Sequence, residues 1–389
     1  MKKILRFPLF IALSMMFVGL ASCSDDDNDG DGELTEKEKT LYKVVDQYVN
    51  NTVIITYESL ADASIELYDA LVDLKEEKTE ANVQKAIDKW IETRDYWELS
   101  EAFLFGPASD FGIDPHIDTW PLAKDELFAE LANEAHIASM AKEDGDEWVA
   151  NYLGAGLLGF HGIEYILFED GRAKEVSKIS DKELIYAVAV AGDLRNQCFH
   201  LEAAWAGIDN VTEEKREKLE ALEVSTTVGS GKLSYGEDMQ NAGKAGSTKR
   251  TVVEACEDII DGCITIADEV GAMKIGRPYT GSTSEDLNYI ESPYSYNSTV
   301  DFIGNVKSIE NAYMGGINGK RGASLSAYIK SVDANVDTEI KNAIADAISK
   351  IGAIENFEKN FKSEETREAM EACLELSDIL LKAKTVLNK

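Results

Sequence analysis

The sequence has few residues that interrupt helices and few that build the common catalytic and metal sites of enzymes. Only 6 of its 389 residues are proline, and alternation of apolar and polar residues is essentially absent, which excludes a fold made mainly of strands. No two of its 4 histidines lie three or four residues apart, and no C-x-x-C pair occurs. The usual zinc-peptidase motif and thiolate zinc sites are therefore absent, as is a G-x-S-x-G nucleophile elbow.

Positive charge is scarce as well. The chain has 39 Lys and Arg against 72 Asp and Glu, which gives a formal net charge of -33 at pH 7. No basic stripe is available to neutralise phosphates, so nucleic acid is excluded as a partner. So many carboxylates keep a protein soluble and are also compatible with cations as ligands.

The N-terminus is typical of a bacterial lipoprotein. A positively charged start precedes an apolar run at residues 9–20, and Leu20-Ala21-Ser22-Cys23 matches a lipobox. We expect residues 1–22 to be a signal peptide and Cys23 to carry the lipid that anchors the protein to a membrane. Residues 23–33 then form an acidic tether, which is either a surface-export signal or a spacer. The protein is expected at the outer membrane or cell surface, facing the periplasm or the exterior. An ordinary secretory signal with a chance cysteine is the alternative.

The rest of the chain has the apolar spacing of helices. Apolar residues recur at intervals of three and four, for example in Val252–Cys256–Ile259–Cys263–Ile266. We predict an all-α fold of two packed helical-bundle domains, at residues 34–208 and 209–389. The boundary is placed at a break near residues 207–212, and it gives two domains of ordinary size.

A histidine and a glutamate interrupt the apolar run at residues 154–168, which we interpret as a helix. His161 and Glu164 are three residues apart and so share a helix face. A buried imidazole and carboxylate must be paired or ligated. Four glycines in the same run indicate that something packs close to its backbone. The pair is either a metal or ligand site or a satisfied structural contact.

A second stripe, on a predicted helix over residues 81–105, brings two more charged residues to a face that should be buried. Arg94 and Glu101 lie on the apolar stripe of this segment. Arg94 is also four residues before Glu98, a spacing that fits an exposed helix pair. Glu101 has no such simple explanation and is either a third acidic partner for His161 or a salt-bridge partner of Arg94.

Four segments together resemble the imelysin-like family, which is linked to bacterial iron uptake and is also classed among peptidases. The segments are Gly159-Phe160-His161-Gly162-Ile163-Glu164, which reads as G-x-H-x-x-E; Arg94 to Ser100-Glu101-Ala102; Ile117-Asp118 with Trp120-Pro121-Leu122; and Glu291-Ser292 with Ser295 and Asp301. The resemblance implies two helical domains whose motifs face a shared cleft. It implies that His161, Glu164 and Glu101 are the metal or ligand-binding residues, with a cleft lined by Arg94, Asp118, Trp120, Ser295, Asp301 and Asn305.

The sequence therefore favours an envelope lipoprotein that binds an iron or zinc ion, or a small chelate, and acts in iron uptake beside an envelope uptake-system protein. A metallopeptidase of the imelysin type is one alternative. It is disfavoured because G-x-H-x-x-E lacks the second zinc-binding histidine and leaves no obvious general base, so no catalytic residue is assigned. A non-catalytic structural or interaction lipoprotein is the other alternative.

Overall fold

The computed structural model describes residues 34–229 and 231–389, and the regular secondary structure of this part of the chain is almost entirely helical. The exception among the described residues is one antiparallel pair of two-residue strands, β1 (Phe168–Glu169) and β2 (Arg172–Ala173). The predicted all-α fold class is confirmed.

The predicted signal peptide, Cys23 and the acidic tether all fall within residues 1–33, which lie outside the described residues. Their assignments stay predictions. In the part of the chain that is described, no helix combines the length and the apolar character needed to span a membrane.

Most of the α-helices before residue 207 are short, and three are long. In chain order they are α1 (Glu36–Tyr48), α2 (Ile54–Glu76), α3 (Glu80–Glu98), α4 (Pro107–Asp110), α5 (Ile113–Ile117), α6 (Lys124–Ala132), α7 (Glu134–Met140), α8 (Gly145–Tyr152), α9 (Gly159–Leu167) and α10 (Asp181–Ala206). A π-helical turn, Val49–Val53, joins α1 to α2, and short 3₁₀ turns occur at Glu101–Phe103, Ala155–Leu157 and Val176–Lys178.

After residue 207 the pattern of a few long helices and several short ones continues. The helices are α11 (Glu213–Ala221), α12 (Tyr235–Gln240), α13 (Val252–Glu269), α14 (Gly276–Thr280), α15 (Ser284–Leu287), α16 (Ser298–Met314), α17 (Leu325–Val332), α18 (Ala334–Gly352), α19 (Phe357–Asn360) and α20 (Glu364–Leu387). A 3₁₀ turn precedes α11 at Ile208–Asn210, and a π-helical turn, Val270–Ile275, joins α13 to α14.

Side-chain caps define where the long helices begin. Ser180 and Glu183 form a reciprocal capping box at the start of α10, which satisfies two backbone N–H groups that the helix leaves free. Thr79, Thr251 and Ser363 each accept a backbone N–H three residues ahead, at the starts of α3, α13 and α20.

Two of the helices predicted from the sequence are shorter than expected. The predicted helix over residues 81–105 ends at Glu98, because Ser100 directs both its amide and its hydroxyl to the carbonyl of Trp97 and so closes the last turn. The predicted helix over residues 154–168 begins only at Gly159, because Leu158 is extended and Gly159 has a positive φ. Glu101 therefore lies in a 3₁₀ turn beyond α3.

The long helices pack in two groups. α10 lies against α2, α8 and α9, whereas α18 and α13 lie against α20, and α16 against α18. The groups meet where α3 contacts α16 and where the 3₁₀ turn Glu101–Phe103 contacts α13. Residues Glu36–Lys389 form one compact unit with a continuous apolar core. The division into domains at 34–208 and 209–389 stays a prediction.

Two glycines of the run at residues 154–168 allow the close approach that their frequency indicated. A Cβ atom at Gly159 would lie 1.8 Å from the carbonyl oxygen of Ile117, and one at Gly162 would lie 2.3 Å from the hydroxyl of Tyr186. Gly159 also has a φ of +66°, which side-chain-bearing residues rarely adopt. The start of α9 is thus held directly against the segment that precedes Asp118.

We predict that Gly159→Ala destabilises the protein by about 3 kcal/mol, because it adds backbone strain to an overlap with the Ile117 carbonyl. Gly154→Ala is the matched control. Gly154 has an ordinary φ of -74° and nothing within 4 Å of a built Cβ, so its change should stay within about 1 kcal/mol. Urea denaturation of both variants measures the difference. Equal effects would contradict the close packing at Gly159.

Candidate functional site

His161 is held between two carboxylates in the interior of the protein. Its Nδ1 lies 3.1 Å from Glu164 Oε2, and its Nε2 lies 3.1 Å from Asp118 Oδ1. The residue is 1% exposed. Burial alone would lower the pKa of His161, but the hydrogen bonds to Asp118 and Glu164 outweigh burial and raise the pKa to about 9. The imidazole is therefore a doubly bonded imidazolium at neutral pH, and neither nitrogen has a free lone pair for a metal ion.

The second oxygen of Glu164 binds a loop from the C-terminal half of the chain. Glu164 Oε1 accepts hydrogen bonds from the amide of Tyr294 at 3.0 Å, the amide of Ser295 at 2.8 Å and the hydroxyl of Ser295 at 2.7 Å. With His161 on its other oxygen, this fully buried carboxylate is satisfied on both sides. Ser295, which the sequence predicted in the wall of the cleft, thus contacts Glu164 directly.

Asp118 connects His161 to α3. Its Oδ1 accepts hydrogen bonds from Arg94 Nη1 and His161 Nε2, and its Oδ2 accepts one from Trp97 Nε1 at 2.8 Å. Burial alone would raise the pKa of Asp118, but Arg94 and His161 together lower it well below its usual value. Trp120, two residues further along, has its ring centroid 6.2 Å from that of His161 and closes this side of the site.

Arg94 is fully buried and is surrounded by carboxylates from separate parts of the chain. Besides Asp118, its Nη2 lies 2.6 Å from Glu98 Oε1 and 2.8 Å from Glu291 Oε1, and its Nε lies 3.8 Å from Asp301 Oδ1. The interpretation of Arg94 and Glu98 as an exposed helix pair is wrong, since both side chains are buried. The apolar stripe of α3 carries the pair into the core, where charge pairing is required.

Lys274 supplies a second buried cation, from the π-helical turn Val270–Ile275. Its Nζ lies 2.9 Å from Glu291 Oε1, 3.3 Å from Glu101 Oε1 and 3.9 Å from Glu98 Oε2. Glu101 is thus the partner of Lys274. Within the described residues no hydrogen bond or ion pair joins Glu101 to His161 or Glu164, so the three predicted ligands do not form one contiguous set.

Helix α16 brings the last two predicted residues into the site. Asp301 accepts a hydrogen bond from the hydroxyl of Ser292 at 2.6 Å, and the side-chain Nδ2 of Asn305 donates to Glu98 Oε2. The helix can approach α3 this closely because residue 304 is glycine: a Cβ there would lie 2.7 Å from the Cβ of Glu98. α16 therefore packs directly against the C-terminal end of α3, at Glu98.

The buried charges of this network do not balance. It contains six carboxyl groups and three basic groups, which leaves a formal deficit of three positive charges. The carboxyl groups are Glu98, Glu101, Asp118, Glu164, Glu291 and Asp301, and the basic groups are Arg94, His161 and Lys274. Burial raises the pKa of Asp301 to about 7 and raises those of Glu98 and Glu101 well above their usual value. Without another cation, protons must neutralise part of the network.

Four of these carboxylates lie close enough to hold a metal ion. Each of Glu98, Glu101, Asp118 and Glu291 offers an oxygen, and the four oxygens lie within 4.8 Å of one another. We refer to these four residues as the carboxylate cluster. Glu291 Oε2 and Asn305 Oδ1 are buried there without a hydrogen-bond partner, and such atoms are rare in folded proteins. The donor set is made of oxygen, which suits hard cations.

Comparison with known proteins identifies the family of this chain. The imelysin (peptidase M75) family model matches residues 53–383. The chain belongs to the imelysin family. It is 27% identical over 273 residues to iron-regulated protein A of Synechococcus elongatus (strain ATCC 33912 / PCC 7942 / FACHB-805). This alignment covers 70% of this chain and 64% of that relative. The chain thus spans less than two thirds of the relative's length.

Two solved imelysin-type structures share the fold. A protein from Parabacteroides distasonis ATCC 8503, named as an iron-regulated protein A precursor, superposes with a TM-score of 0.76 at 26% identity, over 92% of this chain and 97% of that chain. An imelysin-like protein from Psychrobacter arcticum 273-4 superposes with a TM-score of 0.59 at 15% identity, over 90% and 93% of the two chains. The second match shows the fold alone.

Three charged members of the site are not among the residues predicted from the sequence. The spacing of Glu98 from Arg94 also fits an exposed helix pair, and Glu291 contributes only to the family resemblance. The burial of Lys274 is predictable from its spacing in the sequence. Lys274 lies four residues after Val270, which lies four residues after Ile266 of the apolar stripe. A lysine on the continuation of a buried stripe is as anomalous as Glu101, since a buried ammonium requires a partner.

We predict that His161 stabilises the fold most strongly at low pH. The folded pKa of about 9 lies above the ordinary value of 6.5, so the stabilisation is fully present below pH 6.5 and is lost as the pH rises through about 9. The advantage of wild type over His161→Gln should shrink by on the order of 3 kcal/mol across that interval. Urea denaturation at a series of pH values measures it.

His200→Gln is a control for which the opposite pH dependence of stability is expected. Burial lowers the pKa of His200, so the advantage of wild type over this variant should shrink as the pH falls below 6.5. If the curves of wild type and His161→Gln run parallel from pH 6 to 9.5, the imidazolium assignment is wrong.

Proposed function

We propose that this imelysin-family protein is a cell-envelope lipoprotein that binds an iron ion in the carboxylate cluster and serves iron uptake. The cluster consists of Glu98, Glu101, Asp118 and Glu291. Of the three residues predicted as ligands, only Glu101 belongs to it. His161 and Glu164 do not contact the ion in this proposal. His161 positions Asp118, and Glu164 fixes the loop that carries Ser295.

The observation that carries the proposal is the charge deficit of the buried network. Six buried carboxyl groups face three basic groups, and Glu291 Oε2 has no hydrogen-bond partner. A di- or trivalent cation would supply positive charge that the network lacks and would also satisfy this oxygen. Leaving a charged oxygen buried without a partner costs several kcal/mol, so a ligand that supplies the missing charge binds favourably.

The donor chemistry favours iron over zinc. Zinc sites in proteins are typically built from thiolate and imidazole ligands, whereas the donors of the cluster are carboxylate oxygens and the one nearby imidazole is bonded at both nitrogens. Oxygen donors suit hard cations, and ferric iron is a hard cation. The names of two relatives, both iron-regulated protein A, support the same ion.

The peptidase alternative fits the geometry less well. A catalytic zinc requires a lone pair on each ligating imidazole and an open position for water. Both nitrogens of His161 face carboxylates, and His161 and Glu164 are buried. The other alternative, a purely structural network, does not explain why Glu291 Oε2 is buried without a hydrogen-bond partner.

We predict that the protein binds one Fe²⁺ ion under anaerobic conditions, and Zn²⁺ is titrated in parallel as the competing ion. Glu291→Gln should weaken Fe²⁺ binding roughly tenfold or more, because it replaces a charged ligand with a neutral amide of the same shape. Isothermal titration calorimetry measures the affinity, and thermal unfolding shows whether each variant is folded.

Glu375→Gln, an exposed change on α20, is the matched control and should bind as wild type does. If wild type binds neither ion, the proposed function fails. If Glu291→Gln binds as tightly as wild type, the metal site lies elsewhere.

The envelope location is tested separately. Cys23→Ser should remove the lipid and move the protein from the membrane to the soluble fraction, or block its processing. Fractionation of cells that express each form, followed by immunoblotting, measures this. Membrane association that does not change in the variant would rule out the lipid anchor.

A further inference from the structure

We propose that Lys274 is a built-in counter-ion of the carboxylate cluster, which the incoming metal ion displaces, and that the acidic cavity beside Glu101 receives its ammonium group. The inference rests on the proposed function and adds to it the residue that limits the affinity of the metal site.

The position of Lys274 is that of a substitute for a metal ion. Its ammonium group lies within 2.9 to 3.9 Å of oxygens of Glu291, Glu101 and Glu98, three of the four members of the cluster. The side chain is 1% exposed, and burying a charge in this way is tolerated only where opposite charges surround it. Lys274 thus neutralises part of the charge that we assign to the metal.

A metal ion and the ammonium group cannot share the cluster. Metal–oxygen bonds of about 2.0–2.6 Å would place an ion among the same oxygens that Lys274 contacts. Two positive charges held among the same oxygens repel each other strongly, because a buried site screens charge less than water does. The lysine must therefore leave the cluster when an ion enters.

An acidic cavity next to the cluster offers a place for the displaced group. It has a volume of about 340 Å³ and lies against α13 and the turn that follows α3. Glu101 belongs both to its wall and to the carboxylate cluster, so the cavity adjoins the contacts that Lys274 already makes. The other carboxylates of its wall are Asp114, Asp258, Asp261 and Glu269.

Two of these carboxylates are available as new partners. Asp258 and Asp261 already pair with Lys249 and Lys384. In the described residues, no side-chain hydrogen bond or ion pair engages Asp114 or Glu269. Both lie on the cavity wall together with Glu101, which Lys274 already contacts. Burial raises the pKa of both carboxyl groups, and the charge of Lys274 acts on both in the opposite direction.

Lys274→Met is the direct test. Fe²⁺ affinity, measured by anaerobic calorimetry, should rise at least tenfold, because the ion no longer competes with an ammonium group. Without metal the variant should unfold at a lower temperature than wild type, and a saturating concentration of Fe²⁺ should raise its Tm more than it raises that of wild type.

Lys215→Met is the matched control. Lys215 is 2% exposed and pairs with Asp62 at 2.6 Å and Glu202 at 2.7 Å, and it has no contact with the carboxylate cluster. Its loss should lower stability in the same way and leave Fe²⁺ affinity unchanged. If Lys274→Met does not fold, Lys274→Gln, which keeps a polar side chain, takes its place.

A double-mutant cycle tests the cavity. Glu269→Gln should weaken Fe²⁺ binding several-fold in wild type, where the displaced ammonium needs a partner, and have no effect in the Lys274→Met background. Equal effects in both backgrounds would exclude the cavity as the acceptor.

The outcomes separate the two proposals. If wild type and Lys274→Met both bind no Fe²⁺, the proposed function and this inference fail together. If both bind with the same affinity, or the variant binds more weakly, the metal site stands and the displacement of Lys274 is refuted.

Discussion

The structure depends on one buried guanidinium group. Arg94 is 0% exposed and lies within 4 Å of carboxylates from Glu98, Asp118, Glu291 and Asp301. A buried arginine stays charged and so must be surrounded by opposite charge. Because the four carboxylates that surround Arg94 come from separate parts of the chain, those parts must meet around it. They are α3, the segment before Trp120, the loop at residue 291 and α16. The contact between the N-terminal and C-terminal helices is therefore organised by electrostatics as well as by apolar packing.

The supply of carboxylates exceeds what Arg94 needs, and this excess gives the site its chemistry. Two of the carboxylates are also fixed by neutral or additional contacts: Asp118 by Trp97 and His161, and Glu98 by Asn305. Fixed carboxylates cannot turn away from one another, so they must share protons or bind cations. A structural requirement at one residue thus creates an affinity for positive charge beside it.

The sequence was most informative where a polar residue interrupted a regular apolar pattern. The pairing of His161 with Glu164 was readable because their spacing places them on one face of an apolar helix. The contact of His161 with Asp118 joins residues 43 positions apart, and nothing in local periodicity predicts it. The resemblance to the imelysin-like family selected Asp118, Ser295 and Asp301, which the structure brings to the network.

The errors have equally specific causes. An i, i+4 pair of opposite charges has the same spacing on an exposed face and on a buried one, so the spacing of Arg94 and Glu98 fits an exposed pair although both side chains are buried. Glu101 was predicted to meet His161, but the helix ends at Glu98, and the 3₁₀ turn directs Glu101 towards Lys274. Lys274 itself lies in a π-helical turn, a feature that propensities do not predict and that often occurs at functional sites.

The most direct test of the account is anomalous diffraction at the iron absorption edge, from crystals of the protein loaded with Fe²⁺. The account predicts one strong anomalous peak bounded by the carboxylates of Glu98, Glu101, Asp118 and Glu291, with His161 still bonded to Asp118 and Glu164. A peak on a ring nitrogen of His161, or no peak among these carboxylates at full occupancy of the protein, would contradict it.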